Sequence, residues 1–424
     1  MQQSHQKRFF KLIRLEKALD LMKQSIRNYP ILNEEIETIK SLGKVLDEDV
    51  FAKCDIPDHD YAAMDGYAVI TNNILKASEN NPVKLVIKGE LYPSDNPTTA
   101  SIKDHEAIYL ACGAPIPRGA DAVLRVEQAY KEGNTISVRN SLEVSRNICL
   151  TGEDVKNKEL VLSKGHTIRP QDIGLLIAMN KEHVKVVKNI RVSVISVGDE
   201  LAEPFTKIAN KTVNNNAYIV ENLIRYLNSE PILMGIAKDS IEDIKQKMET
   251  AISNSDIVIT IAGCSVGVKD YVPNVVETLS QSGLIFHGVA VSAGKVSGFG
   301  VVKGKPVVML PGHVGSAVGA FYLLVIPLLN FLKGLGFKDN LPVLKCKIDD
   351  SVKAKPSIDF LLPVKVYRKH GEYYAKPLFK PISVLKNIAD ANGYVLLKAG
   401  NALGKDDEVN VKMYSGLEFD LIED

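Results

Sequence analysis

RVSVISVGDEL, residues 191–201, decides how the middle of this chain folds. Its residues are apolar almost without a break through Val197, as in a strand covered on both faces, and the run then stops at a glycine followed by two acids. NNNAYIVENLIRYLN (214–228) comes next, with apolar residues at helical spacing and asparagines placed to cap it. The scheme returns twice. DIVITIAGCSVGVKDYVPNVVETL (256–279) passes from an apolar strand through a glycine-rich turn into a helix, and KPVVMLPGHVGSAVGAFYLLVIPLL (305–329) is a third copy. Three strand-turn-helix units predict a doubly wound α/β domain on a parallel sheet, with ligands off the carboxyl ends of its strands. The residues that follow ISV, TIA and VML are therefore the candidates for chemistry.

Outward from this domain the pattern changes. GLGFKDNLP (334–342) reads as a linker, and VLKCKID, LLPVKVYR, EYYAKPL, GYVLLKA and DEVNVKMY beyond it read as short strands of a small all-β domain. The segment from about Asp58 to Gly152 is also strand-rich, with KLVIKGEL, AIYLACGAP, DAVLRVEQAY and NTISVRN. The N-terminal helix and residues 153–188, where QDIGLLIAMN forms a helix between extended flanks, belong to one continuous domain or to two interleaved ones. A chain of 424 residues exceeds a single hydrophobic core, so three or four domains are expected.

Composition narrows the function classes. With 52 basic and 51 acidic residues the formal charge is +1, which provides no whole-protein field for nucleic acid or for an anionic membrane. Cys54, Cys112, Cys149, Cys264 and Cys346 are scattered, show no zinc spacing, and fit reduced thiols in a cytoplasmic protein. The N-terminal stretch lacks the apolar core and cleavage site of a secretory signal. VGSAVGAFYLLVIPLLNFL (314–332) has the length of a membrane span, but Gly315, Gly319, Pro327 and Asn330 interrupt it and it follows a strand and a PGH turn, so a buried helix is expected.

The acids at the strand ends stand out. Asp199 and Glu200 follow VISVG, Asp239 follows LMGIAK and Asp270 follows AGCSVGVK, so the fold gathers them on one rim, where carboxylates bind a divalent metal through oxygen. Each singly also reads as a solvated turn acid. Gly263, Ser265 and Gly267 form a turn whose N–H groups and hydroxyl can receive an anion, and Gly312, His313 and Ser316 offer a second cradle. His313 reads equally as a surface residue. Cys264 and Cys112 read as small core residues. For Asp65 and Asp154, spacing shows only a turn.

AAMDGYAV (62–69), CGAPIPRGADAVLRVEQ (112–128), TGEDV (151–155), ISVGDEL (195–201), AGCSVGVKDY (262–271), LPGHVGSA (310–317) and ANGYVLL (391–397) stand in a specific order. That series resembles the molybdopterin molybdenumtransferases, the molybdenum insertase family that includes the E domain of gephyrin, over essentially the whole chain. The resemblance implies an elongated domain in two parts (1–57 and 153–188), an inserted β-rich domain (58–152), a molybdopterin-binding α/β domain (189–335) and a C-terminal β-barrel-like domain (336–424). It implies a homodimer, with the cleft between the α/β domain of one subunit and the inserted domain of the other, and with Asp65 facing the rim acids across the interface. The implied substrate is adenylylated molybdopterin, made by a partner molybdopterin adenylyltransferase. Molybdate enters at the dithiolene sulfurs while the AMP anhydride is cleaved, and acceptor enzymes take the finished cofactor.

Carried over residue by residue, Asp65, Asp154, Glu200, Asp239 and Asp270 match the family's functional acids, the last three as ligands of Mg²⁺. Gly263, Ser265, Gly267, Lys295, Gly312, His313, Ser316 and Ser383 match positions that hold pterin and phosphate. Several positions depart from the pattern. The family's KPGKP is SAGKV here, with Ser292 for a lysine and Lys295 kept, and PGNPVSA is PGHVGSA. Cys112 replaces a threonine, Ala62 a serine, and Ser357 and Leu362 stand where basic residues are expected. Each lost basic contact to a phosphate removes about 1.5–3 kcal/mol. Two alternatives follow: a catalytically weak or inactive paralogue that binds molybdopterin or scaffolds other proteins, and a variant that inserts tungstate.

Overall fold

The computed structural model describes residues 11–96, 100–206, 209–267, 269–280 and 283–415. Residues 1–10 and 416–424 lie outside it, and with them part of the stretch read for a secretory signal and the outer ends of the first and last expected domains. The chain forms two compact units, one of residues 35–186 and one that joins the chain up to residue 34 to residues 187–424.

Residues 35–186 hold separate cores. Leu46, Val50, Ala52, Val155, Leu162, Leu176 and Val184 pack together, so the stretches on either side of the β-rich segment share one core. Between them a six-stranded sheet runs in the order Ala122–Arg125, Gly66–Val69, Glu106–Leu110, Val83–Leu91, Thr135–Val138, Ala129–Glu132. Leu85, Leu124 and Ile136 fill one of its faces. Helix Pro170–Ala178 starts on a capping box in which Asp172, almost fully buried, accepts from the Arg169 N–H and guanidinium and sits 2.6 Å from His166 Nε2.

In the other unit the α/β domain contains β1 (Arg191–Val197), α1 (Asn215–Tyr226), β2 (Glu230–Ala237), α2 (Ile241–Asn254), β3 (Ile257–Ile261), α3 (Val272–Leu279), β4 (Leu284–His287), β5 (Gly298–Val302), β6 (Lys305–Leu310) and α4 (Val314–Leu332). The sheet order is β2-β1-β3-β6-β5-β4. The first four strands are parallel, and β5 and β4 complete the edge antiparallel. That edge lies outside the three expected units: Gly298 and Gly300 thin the β5 pattern, and the pair joins β6 through a tight turn instead of a helical crossover. Alternation in the central strands divides two cores. Ile257, Ile259, Val308 and Leu310 face α1, α4 and the N-terminal helix Leu15–Ser25, while Val258, Val307 and Met309 face α2 and α3.

The apolar stretch 314–332 is long enough to cross a membrane, yet it is buried almost throughout inside the protein. Phe321–Val325 adopts a π-turn just ahead of Pro327, whose missing N–H and ring break the ordinary ladder there. The C-terminal strands close into a five-stranded barrel in the order Val343–Ile348, Glu372–Pro377, Phe360–Lys369, Gly393–Leu397, Glu408–Met413. Barrel and α/β domain meet where Val291 bridges Asp359, Ser292 N–H donates to Asp359 O at 2.8 Å, and Leu361 N–H donates to Ser292 Oγ at 3.1 Å.

Candidate active site

At the carboxyl ends of β1, β3 and β6 the chain leaves a cleft of about 680 Å³. Glu200, Gly263, Ser265, Asp270, Lys295, Gly312, His313, Ser316 and Ser383 all line it. Each is positioned by its local chain. The side chain of Glu200 folds back over Gly198, where a Cβ would come within 2.5 Å of its carboxylate. Gly263 has φ +64°, and a Cβ there would meet Val197 Cγ1 at 2.8 Å, so only glycine lets the β3 turn close on β1. Gly267 N–H donates to Asp270 Oδ2 at 2.7 Å, which fixes that carboxylate at the start of α3.

Asp239 and Gly267 are not among the cleft walls. Asp199 N–H donates to Asp239 Oδ2 at 3.2 Å and Asp239 N–H to Asp199 Oδ1 at 3.4 Å, so Asp239 clamps the neighbouring turns after β1 and β2. Asp65 and Asp154 belong to the unit of residues 35–186. The Asp65 carboxylate is exposed and accepts from the Cys112 N–H at 2.8 Å, which ties the GYA bend to the CGAP turn. Asp154 is exposed, and its own N–H donates to Ile56 O at 3.0 Å.

Among the described residues no group of three or more His, Cys, Asp or Glu side chains is placed to form a metal cage. Mg²⁺ rarely uses such a cage: it binds one or two carboxylates, several waters and substrate phosphates. Glu200 and Asp270, both in the walls of one cleft that also carries the turns of Gly263 and Gly312, fit that donor set.

Cys264 is buried, with Sγ 3.3 Å from Leu310 O, and its thiol is pushed up to about 12 by burial and then by the charge of Asp270. Cys112, by contrast, is exposed and not a core residue, because its turn stands at the surface where Sγ reaches Ala63 O at 3.3 Å. Leu362 is fully buried in the barrel core, so no basic side chain is missing from the cleft at that position. Asn214, Asn215 and Asn216, which the sequence offers only as helix caps, are also among the cleft walls. Asn214 makes no side-chain cap; its Oδ1 accepts from Ser196 Oγ at 2.8 Å, and Asn216 Nδ2 holds the PGH turn through Gly312 O at 2.7 Å.

Residues 13–180 match the family described as MoeA N-terminal region (domain I and II), and residues 193–330 match a probable molybdopterin binding domain. A putative molybdopterin biosynthesis protein of Methanocaldococcus jannaschii is 33% identical over 67% of this chain and 71% of its own length. The chain belongs to the MoeA family. A molybdopterin molybdenumtransferase of Staphylococcus aureus is 29% identical over 92% of both chains. The solved molybdopterin biosynthesis MoeA protein of Pyrococcus horikoshii superposes with a TM-score of 0.82 at 29% identity, over 95% of this chain and all of that one. Within the MoeA family this chain's Gly315 has a local explanation: a Cβ there would lie 2.8 Å from Ile382 O, which accepts the Gly315 N–H at 2.9 Å and brings the Ser383 loop to the cleft.

Proposed function

We propose that this protein is a molybdopterin molybdenumtransferase that inserts molybdate into adenylylated molybdopterin and releases AMP in molybdenum cofactor biosynthesis. The observation that carries the reading is the cleft itself, where two carboxylates, Glu200 and Asp270, share walls with two anion-receiving turns and Lys295. Names of the full-length relatives favour this over a scaffold paralogue.

In this reading Gly263, Ser265, Gly312 and Ser316 seat pterin and phosphate by N–H and hydroxyl donors, Ser383 borders them, and Lys295 offsets charge on the pyrophosphate. Glu200 and Asp270 hold Mg²⁺, which when bound draws charge from the phosphate oxygens and eases departure of AMP. Asp239 supports the Glu200 turn from behind. The acting unit is a homodimer in which the inserted domain, residues 58–152, presents Asp65 to the partner's cleft, while Asp154 closes the same edge. Molybdopterin adenylyltransferase delivers the substrate and acceptor enzymes collect the product, in the cytoplasm. The test is incubation of the purified protein with adenylylated molybdopterin, molybdate and Mg²⁺ while AMP is measured. Release that depends on molybdate and stops with chelator is expected; tight substrate binding with AMP at background overturns the reading.

A further inference from the structure

Between the two cradles of the cleft one residue breaks a backbone rule. Ala262, the first residue after β3, has φ +68° and lines the cleft, and among the described residues of its walls it is the one non-glycine with a left-handed backbone. An alanine Cβ crowds the following carbonyl in this conformation and brings no polar group that could bond locally in return, so the position carries a strain that glycine would avoid. The surroundings hold it there. Ala262 N–H donates to Leu310 O at 3.0 Å, the Cys264 thiol reaches the same carbonyl at 3.3 Å, Val272 N–H donates to Gly263 O at 3.1 Å, and His287 Nε2 lies 2.6 Å from Cys264 O. The methyl itself meets the other cradle. A Cβ added at Gly312 would come within 3.1 Å of Ala262 Cβ, so the methyl already fills the space beside Gly312, whose carbonyl is held in turn by Asn216.

We propose that Ala262 is a positioning residue: its methyl is a spacer wedged between the Gly263 and Gly312 turns, and it sets the gap across which those turns receive the substrate. Among the described residues the backbone hydrogen bonds that join β3 to β6 end at Ala262 N–H and Leu310 O. Past that point the distance between the two tips rests on side chains, and one methyl is the smallest group that can fix it. Glycine at 262 would make the same turn without strain and leave the tips slack. Backbone strain persists where the surrounding structure over-determines it, and it gathers at sites where it serves pre-organisation at the expense of stability. The inference rests on the transferase reading for the identity of the ligand and on the geometry alone for the spacer.

A262G in the full chain tests it, by thermal unfolding, by binding of adenylylated molybdopterin without molybdate, and by AMP release. The variant melts about 1–3 °C higher, because relief of the left-handed strain outweighs the extra freedom that glycine gives the unfolded chain. It binds the ligand about tenfold more weakly, and KM rises by a similar factor with kcat within about twofold. A262S keeps a Cβ and therefore keeps wild-type affinity and KM, with no gain in melting temperature. A merely structural role would move stability and affinity together; a spacer moves them apart. The contact is also read with no ligand at all: G312A lowers the melting temperature by about 2–4 °C in the wild-type background and by clearly less in A262G, where the methyl it would crowd is gone. A262G that melts below wild type or binds with unaltered affinity, A262S as weak as A262G, or an equal effect of G312A in both backgrounds each overturns the proposal. Binding is read without turnover. AMP at background with weakened binding in A262G therefore sinks the transferase reading alone, and AMP release with unaltered affinity in A262G sinks the spacer alone.

Discussion

Asp270 shows how a single side chain carries both geometry and charge. Its Oδ2 fixes the Gly267 N–H at 2.7 Å, so the carboxylate is held at the cleft wall with little freedom left to lose. D270N keeps an acceptor for that N–H and removes the charge; AMP release is expected to fall by about a hundredfold or more with the melting temperature nearly unchanged. Wild-type release in that variant removes Asp270 from the chemistry. Thiols divide by environment in the same way. Cys264 and Cys346 are pushed up by burial to about 12 and about 11, whereas Cys54 and Cys112 are exposed. Brief alkylation at pH 8 followed by mass spectrometry is expected to label Cys54 and Cys112 and to spare Cys264 and Cys346 until denaturant is added. The residue type alone did not separate these thiols, because exposure of Cys112 depends on the turn that Asp65 pins.

At the scale of elements, α4 passes close to the loop that carries Ser292 and Lys295. A Cβ on Gly319 would lie 2.6 Å from Ala293 Cβ, with both residues buried. G319A is therefore expected to displace that loop, to cost about 1–3 kcal/mol in urea unfolding and to lower AMP release. Helix Pro170–Ala178 gives a pH-dependent case. Arg169 first, then His166, hold the Asp172 carboxyl well below the usual range. Its stabilisation is then fully present above the unfolded value near 3.9 and is lost as pH falls toward the lower folded value. D172A should cost about 1–3 kcal/mol at pH 7, given that Arg169 is more than half exposed, with the difference from wild type shrinking in urea titrations below pH 4. Elements such as β1, β3 and β6 were legible because parallel strands covered on both faces are apolar at every position. The β5–β4 edge was not, since its glycines broke the pattern, and Leu361 and Leu362 could not be told apart: both are buried, but one faces α4 and the other the barrel interior.

Across the whole molecule, the resemblance rather than the residue pattern supplied the proposed role of Asp65 at a second subunit's cleft, because such a role would leave no signature in the neighbourhood of the residue itself. Mixed dimers test that role. D65N and D270N subunits are each expected to be inactive alone, while the hybrid regains about half of wild-type activity per dimer, since one of its two clefts then has both acids. A hybrid as inactive as its parents removes the shared cleft. The seam at Ser292 bears on how this chain can change. A hydroxyl at that position accepts the Leu361 N–H and stitches the two domains together, so the lysine that the resemblance leads one to expect there would add a cation and unpick the stitch in one step. Charge at position 292 and cohesion between the two domains are therefore alternatives, and a chain that takes one gives up the other unless residues around position 361 change with it.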